Sequence, residues 1–279
     1  MEEGRGRVDL HTHSTASDGV LTPSEVARLA VERGLVAIAL TDHDSLSGIA
    51  EAQQAAAGTP LEVIAGVEIS CEGEWGDLHL LGFYVDQANG RLSSQLEEMR
   101  AGRLKRARRM VARLQDLGLE LEWEEVQALA GGESVGRPHV ARALLNRGHV
   151  SSVEAAFAIY LGRSGPAYVA RTRVTPCEAV ATITEAGGVP VLAHPACSGE
   201  RAIARVAGLA DCGLRGLEVH YPHHAPSDVK RLLGLCERHG LLATGGSDFH
   251  SPNGGEGAAL GSVDVPLECL ERLREAAGR

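Results

Sequence analysis

Two short motifs at opposite ends of this 279-residue chain, Asp9-Leu10-His11-Thr12-His13 and Ser247-Asp248-Phe249-His250, constrain its fold more than any other feature. Side-chain direction in extended structure has period two, so an HxH closing an apolar strand puts both imidazoles on one side of the chain. Neutral imidazole with carboxylate suits Zn, Mn or Fe. The motifs read as two halves of one metal site, built from both ends of the sequence, so that the whole fold serves to hold metal.

Between them runs a βα rhythm with about seven apolar segments: Arg7 to His11, Val36 to Thr41, Leu61 to Glu68, Leu78 to Val85, Val189 to His194, Gly216 to His220 and Leu241 to Gly245. Thr22-Pro23-Ser24-Glu25 predicts a helix start, with Thr22 as cap, Pro23 in the first turn and Glu25 completing a capping box. Thr175-Pro176-Cys177-Glu178 repeats the signal. Gly34, Gly118, Gly187, Gly213 and Gly240 follow helical runs as stops. One stretch, Leu92 to Gly165, breaks the rhythm and reads as an arginine-rich helical insertion, with helices over Met99 to Leu117, Trp123 to Ala130 and Pro138 to Asn146. The expected organisation is a barrel from 1–91 and 166–279, with 92–165 as an insertion over the loops at one end.

A formal net charge of -10 argues against wholesale electrostatic binding of nucleic acid, so any polyanion has to be met locally. No apolar run approaches the roughly 20 residues that span a bilayer, and Met1-Glu2-Glu3-Gly4-Arg5 lacks the apolar core of a secretion signal, so a cytoplasmic location is expected. The six cysteines (Cys71, Cys177, Cys197, Cys212, Cys236 and Cys269) contain no CxxC pair and suit reduced structural thiols better than disulfides.

Candidate ligands fall at the carboxyl ends of the expected strands, the rim where active sites of βα barrels form: His11, His13, the Asp42-His43-Asp44 triplet, Glu68, His194, His220, Asp248 and His250. His79 lies at the start of its segment, and a local bend or an antiparallel direction would be needed to bring it inward. Asp18, in Ser17-Asp18-Gly19, reads equally as a ligand or as a turn residue. Asp42 and Asp44 read either as carboxylates orienting His43 through its other nitrogen or as loop caps.

The ordered set Asp9-Leu10-His11-Thr12-His13-Ser14, Thr41-Asp42-His43-Asp44, Gly66-Val67-Glu68-Ile69-Ser70, Leu192-Ala193-His194-Pro195 and Gly246-Ser247-Asp248-Phe249-His250 resembles the PHP family, named for polymerase and histidinol phosphatase. The resemblance spans nearly the whole chain. It implies an α/β fold, a distorted (β/α)7 barrel, with a trinuclear centre of divalent metals. By position, His11, His13, Glu68 and Asp248 would hold one ion, Asp18, His43 and His250 a second, and Glu68, His79 and His194 a third, with Glu68 bridging. Many members carry histidine at the position of Asp18, whereas similar members that hydrolyse nucleotides carry aspartate. The harder carboxylate oxygen favours Mn or Fe(II) there, with Zn possible.

Within the insertion, Val135-Gly136-Arg137-Pro138-His139 resembles the GRPH segment of members that cleave nucleoside 3',5'-bisphosphates and short 5'-phosphorylated RNA. Arg137 and His139 would then reach a substrate phosphate, aided by the helix N-terminus. Arg171 and Arg173 are further candidates, with surface charge as the alternative. In Glu218-Val219-His220-Tyr221-Pro222-His223-His224, family position favours His224, then His220, as proton donor to the leaving oxygen. The expected activity is a metal-dependent phosphoesterase in which a metal-bridging hydroxide attacks phosphorus. Its expected partners are a nucleotide or short oligonucleotide, with no membrane and no stable protein partner. Histidinol-phosphate phosphatase is the alternative within the family, and a non-catalytic PHP scaffold or binding module the alternative of another class. An amidohydrolase with a carbamylated lysine is disfavoured because the two lysines, Lys105 and Lys230, both lie in helical stretches.

Overall fold

The computed structural model describes residues 6–73, 76–130, 135–170, 174–252 and 257–279. Seven strands make one sheet in chain order: β1 (Arg7–Thr12), β2 (Leu35–Leu40), β3 (Glu62–Gly73), β4 (Gly76–Phe83), β5 (Val189–Leu192), β6 (Gly216–His220) and β7 (Leu242–Gly245). Neighbours are parallel except on either side of β4, which runs antiparallel to both β3 and β5. The sheet closes on itself just past β7. His13 N donates to Phe249 O at 2.8 Å and Phe249 N donates to His11 O at 3.3 Å.

The reversal of β4 resolves the position of His79. Because β4 runs the other way, its beginning lies where its neighbours end, and His79 pairs with Ser70 two residues beyond Glu68. The residue that looked misplaced in a uniformly parallel reading therefore stands on the same rim as the other candidates.

Alternation along the strands separates an inner from an outer core. Val8 and Leu10, Ala37 and Ala39, Leu81 and Phe83, and Val189 and Val191 share one buried cluster with Leu270 and Leu273 of the last helix, Leu267–Ala276, which plugs the end where the parallel strands begin. Val67 and Ile69 face the other way, into a core shared with Leu217, Val219 and the covering helices, which leaves Glu68 between them pointing inward. Helix α1 (Pro23–Glu32), followed by α2 (Ile49–Ala56), starts with the expected capping box, Thr22 with Glu25, and the helix Pro176–Glu185 with its counterpart, Thr175 with Glu178. Among the described residues no helix is long and apolar enough to cross a membrane.

The insertion is helical; its first helix begins before the expected edge at 92, and its packing extends past the other edge at 165. Helix α3 (Gly90–Asp116) seats Leu92 and Leu96 in the outer barrel core, while Met110, Val111 and Leu114 join a separate core. That second core also takes Val126 from Trp123–Leu129, Val140 and Leu144 from Arg137–Asn146, Leu161 from a π-helical turn at Phe157–Leu161, and Ala167 and Val169 beyond it. The expectation of six reduced cysteines is corrected: Cys177 and Cys212 are joined by a disulfide. Their 35-residue separation carries no local spacing signal, and only the packing of neighbouring helices brings their Cα atoms to 5.5 Å.

Closure leaves no room at Gly246. A Cβ there would stand 2.4 Å from His11 N and 2.9 Å from an Asp9 carboxylate oxygen. Gly246→Ala is expected to destabilise the protein by about 1–3 kcal/mol through forced separation of the first and last strands. Chemical denaturation checks this, and an unchanged midpoint contradicts it.

Candidate metal centre

The rim side chains are delivered by the ends of six of the seven strands. His11 lies in β1 and His13 just past it, His43 follows β2, Glu68 lies within β3, His79 near the start of β4, His194 past β5, and Asp248 and His250 past β7. Three of the rim residues, Asp44, His194 and Asp248, have positive φ of 52°, 30° and 52°. Such backbone is costly for residues with a Cβ and persists where surrounding structure enforces it.

The structure brings all nine expected ligands together. His13, Asp18, His43 and His250 form one group, His11, His13, Glu68 and Asp248 a second, and His43, Glu68 and His79 a third, each with its potential ligand atoms within 4.8 Å of one another. His194 Nε2 joins the third group at 3.2 Å from Glu68 Oε1. Glu68 is the hub: Oε2 lies 3.4, 3.3 and 3.0 Å from ring nitrogens of His11, His13 and His43, and Oε1 lies 2.8 Å from His79 Nδ1. Groups that the family pattern assigns separately thus overlap in space, through His13 and His43 as well as Glu68.

These donors fit cations. The Nε2 atoms of His11 and His13 face each other at 3.1 Å, and both lie within 3.2 Å of Asp248 Oδ1. His11 engages Glu218 through Nδ1 at 2.9 Å, so a proton on Nδ1 leaves the Nε2 lone pair aimed into the group. The buried Nδ1 atoms of His43 and His79 find no hydrogen-bond partner of acceptable geometry among the described residues. Converging lone pairs and carboxylates in a largely buried site call for positive charge. The residues present therefore suit several divalent ions.

Electrostatics without a cation show the same demand. Burial pushes Asp18, Glu68 and Asp248 up, but the surrounding histidines outweigh it and hold all three well below the usual carboxylate range. Burial works against a charge on His11, yet Glu218, Asp248 and Glu68 raise it well above the ordinary imidazole value. His43 goes the other way, pushed by burial down to about 3.

Behind the ligands stands a layer of buried carboxylates. Asp9 accepts from Ser247 N, Ser247 Oγ and Gly261 N at 2.8, 2.6 and 2.7 Å, fixing the loop that carries Asp248. Asp42 accepts from Ser14 N at 2.8 Å, Ser14 Oγ at 2.7 Å and Ser17 Oγ at 2.6 Å. Asp44 accepts from Ser70 N at 3.0 Å and pairs with the buried Arg103 guanidinium, which also donates to Ser70 Oγ. Of the two readings open for Asp42 and Asp44, both are loop-bracing acceptors. Glu218, Arg103 and Tyr221 carry no sequence signal as site residues, because their roles depend on pairings 24 or more residues distant.

Two cavities flank the ligands. One, about 210 Å³, lies beneath the insertion and is lined by Asp18, His43, His79, Arg103, Arg106 and Arg137 together with Met110 and Phe157. The other, about 320 Å³, is bounded by His194, Cys197, Ser198, Tyr221, Asp248 and the shared histidines. Arg137 sits over the Phe157 ring at 5.6 Å. His139 is buried, and its Nδ1 accepts the Gly136 N–H at 2.9 Å, closing the start of its own helix. His224 donates Nδ1–H to Val219 O at 2.9 Å and packs at a tilt against Tyr221, ring centroids 5.1 Å apart and planes inclined at 50°. His220 ends β6 half-buried, with burial lowering its pKa. Arg171 and Arg173 lie outside the described residues.

A closed seven-stranded α/β sheet with buried histidine and carboxylate groups gathered on one rim defines a metal-dependent hydrolase. Residues 9–99 match the PHP domain. Over 278 residues, 98% of this chain and 97% of the other, the sequence is 37% identical to a 3',5'-nucleoside bisphosphate phosphatase of Chromobacterium violaceum. It is 36% identical over 251 residues, 89% of this chain and 91% of the other, to a 5'-3' exoribonuclease of Haemophilus influenzae. The fold superposes with a TM-score of 0.89 on a Bifidobacterium adolescentis chain assigned to the metal-dependent phosphoesterases, at 31% identity and full coverage of both chains. The same score relates it to a Chromobacterium violaceum structure described as an amidohydrolase with bound sulfate and no metal, at 36% identity and 97% coverage of each. The chain belongs to the PHP family of phosphoesterases.

Burial holds His139 neutral, with its pKa lowered to about 4. A depressed imidazole lends stability that is complete above its unfolded value of about 6.5 and is lost as pH falls towards the folded value. Wild-type stability is therefore expected to fall by about 2–3 kcal/mol more than that of His139→Gln between pH 6.5 and 4. Parallel denaturation curves across that range would contradict the assignment.

Proposed function

We propose that the chain hydrolyses phosphate esters of nucleotides, chiefly nucleoside 3',5'-bisphosphates and short 5'-phosphorylated oligoribonucleotides, with three divalent metal ions. The observation that carries the reading is the convergence of nine ligand side chains, with Glu68 among them as the hub, directly beside an arginine-lined cavity. His11, His13, Glu68 and Asp248 would hold one ion, Asp18, His43 and His250 a second, and Glu68, His79 and His194 a third. Asp18 tilts the choice towards Mn or Fe(II). Bound ions of this kind neutralise phosphoryl charge and acidify water, which dispenses with a serine or cysteine nucleophile.

The remaining roles belong to the chain's own groups. Arg137 binds a substrate phosphate from the insertion side, where the helix N-terminus adds backbone donors. Met110 and Phe157 give the same cavity an apolar wall suited to a base or sugar face. The sulfate held by the Chromobacterium violaceum relative supports an anion site on this fold. His224 is assigned the proton for the leaving oxygen, ahead of His220; its Nε2 is buried with no hydrogen-bond partner among the described residues. His139 supports Arg137 by closing the turn on which it sits.

The test is turnover by Mn-loaded protein of adenosine 3',5'-bisphosphate, a 5'-phosphorylated oligoribonucleotide and histidinol phosphate, with a chelator control. The first two are expected to be cleaved in preference to the third, and Arg137→Ala to raise KM about 10- to 100-fold, the value of one charge-assisted contact. Preference for histidinol phosphate, or an Arg137→Ala variant with unchanged kinetics, would overturn the assignment.

A further inference from the structure

Six of the seven strands deliver a candidate ligand from their rim ends, and β6 delivers none among the described residues. In place of ligands, the end of β6 reaches three ligands that other strands supply. Glu218 Oε1 lies 2.9 Å from His11 Nδ1, and Glu218 Oε2 accepts the His194 backbone N–H at 2.8 Å. Three residues on, the Tyr221 hydroxyl donates to Asp248 Oδ2 at 2.9 Å. Glu218 is fully buried and Tyr221 nearly so.

Each contact fixes something a metal ligand needs. A proton held on His11 Nδ1 by Glu218 keeps Nε2 unprotonated and the ring aimed at Glu68 and Asp248. The bond to His194 N–H pins a residue at φ 30°, a backbone setting that relaxes without an external hold. Tyr221 occupies one oxygen of Asp248, so the other, Oδ1, is the one presented to His11 and His13 at 3.2 and 3.1 Å. Asp248 is likewise at positive φ, 52°.

We infer that Glu218 and Tyr221 are positioning residues: the end of β6 orients His11, His194 and Asp248 from behind and thereby sets the affinity of the metal centre. The inference rests on the proposed metal centre and adds to it residues that bind no ion themselves. It also explains why a strand end rich in histidines contributes no ligand, since the inward position is taken by a carboxylate already engaged twice.

The test is Mn²⁺ titration of the metal-stripped full chain, followed by electron paramagnetic resonance, for wild type, Glu218→Gln and Tyr221→Phe. Far-UV circular dichroism and melting of the metal-free proteins establish that each is folded. Gln matches the shape of Glu but places an amide N–H₂ against one of two donors. Its Mn²⁺ affinity is expected to fall about 10- to 100-fold, with Tyr221→Phe at the lower end of that range, as for other partners behind metal ligands. A merely structural role would lower the melting temperature and leave the folded fraction binding Mn²⁺ as wild type does; that result overturns the inference while the metal centre stands. Absence of Mn²⁺ binding by the wild type overturns the metal centre and the inference with it. Should Glu218→Gln fail to fold, Tyr221→Phe, which removes a single oxygen, decides the question by the same titration.

Discussion

A single buried carboxylate, Glu68, organises this protein. Its two oxygens stand within 3.4 Å of ring nitrogens from five histidines, delivered by four strand ends and the loop after β1. A carboxylate so enclosed is stable only opposite positive charge, whether imidazolium or metal. The chain's topology follows from meeting that demand. The first and last strands must touch to bring His11 and His13 to Asp248, β4 must run backwards to place His79 on the rim, and β3 must alternate so that Val67 and Ile69 feed the outer core while Glu68 faces in.

Around this hub the polar groups are arranged in two layers. The inner layer is the ligand set, whose nitrogens and oxygens point at one another. The outer layer is Asp9, Asp42, Asp44 and Glu218, each engaged by two to four donors and each fixing a loop or ring of the inner layer. Positive φ at Asp44, His194 and Asp248 shows where the backbone is held against its own preference. The insertion is tied into the same layer, since Arg103 from α3 pairs with Asp44 and Arg142 donates to Asp18 O at 2.9 Å.

Much of this was legible in the sequence, for reasons that can be stated residue by residue. The seven apolar segments, the capping boxes at Thr22 and Thr175, and the ligand motifs at strand ends are local signals, readable from spacing and residue type. What stayed hidden was relational. The direction of β4 is written in its pairing with β3 and β5, so His79 could not be placed. Glu218 and Tyr221 look like any strand-end residues until His11, His194 and Asp248 arrive from elsewhere in the chain. The Cys177–Cys212 bridge depends on the fold bringing the start of one helix to the end of another, and Arg103 on a long helix turning one buried face to the rim.

The central claim, that Glu68 is shared between metal ions held by residues from both ends of the chain, is tested most directly by anomalous diffraction at the manganese edge from crystals grown with Mn²⁺. Three anomalous peaks are predicted: one among His11, His13, Glu68 and Asp248, one among Asp18, His43 and His250, and one among Glu68, His79 and His194, with Glu68 touching two of them. A map with no peak against Glu68, or with manganese held only at surface carboxylates, would contradict the account.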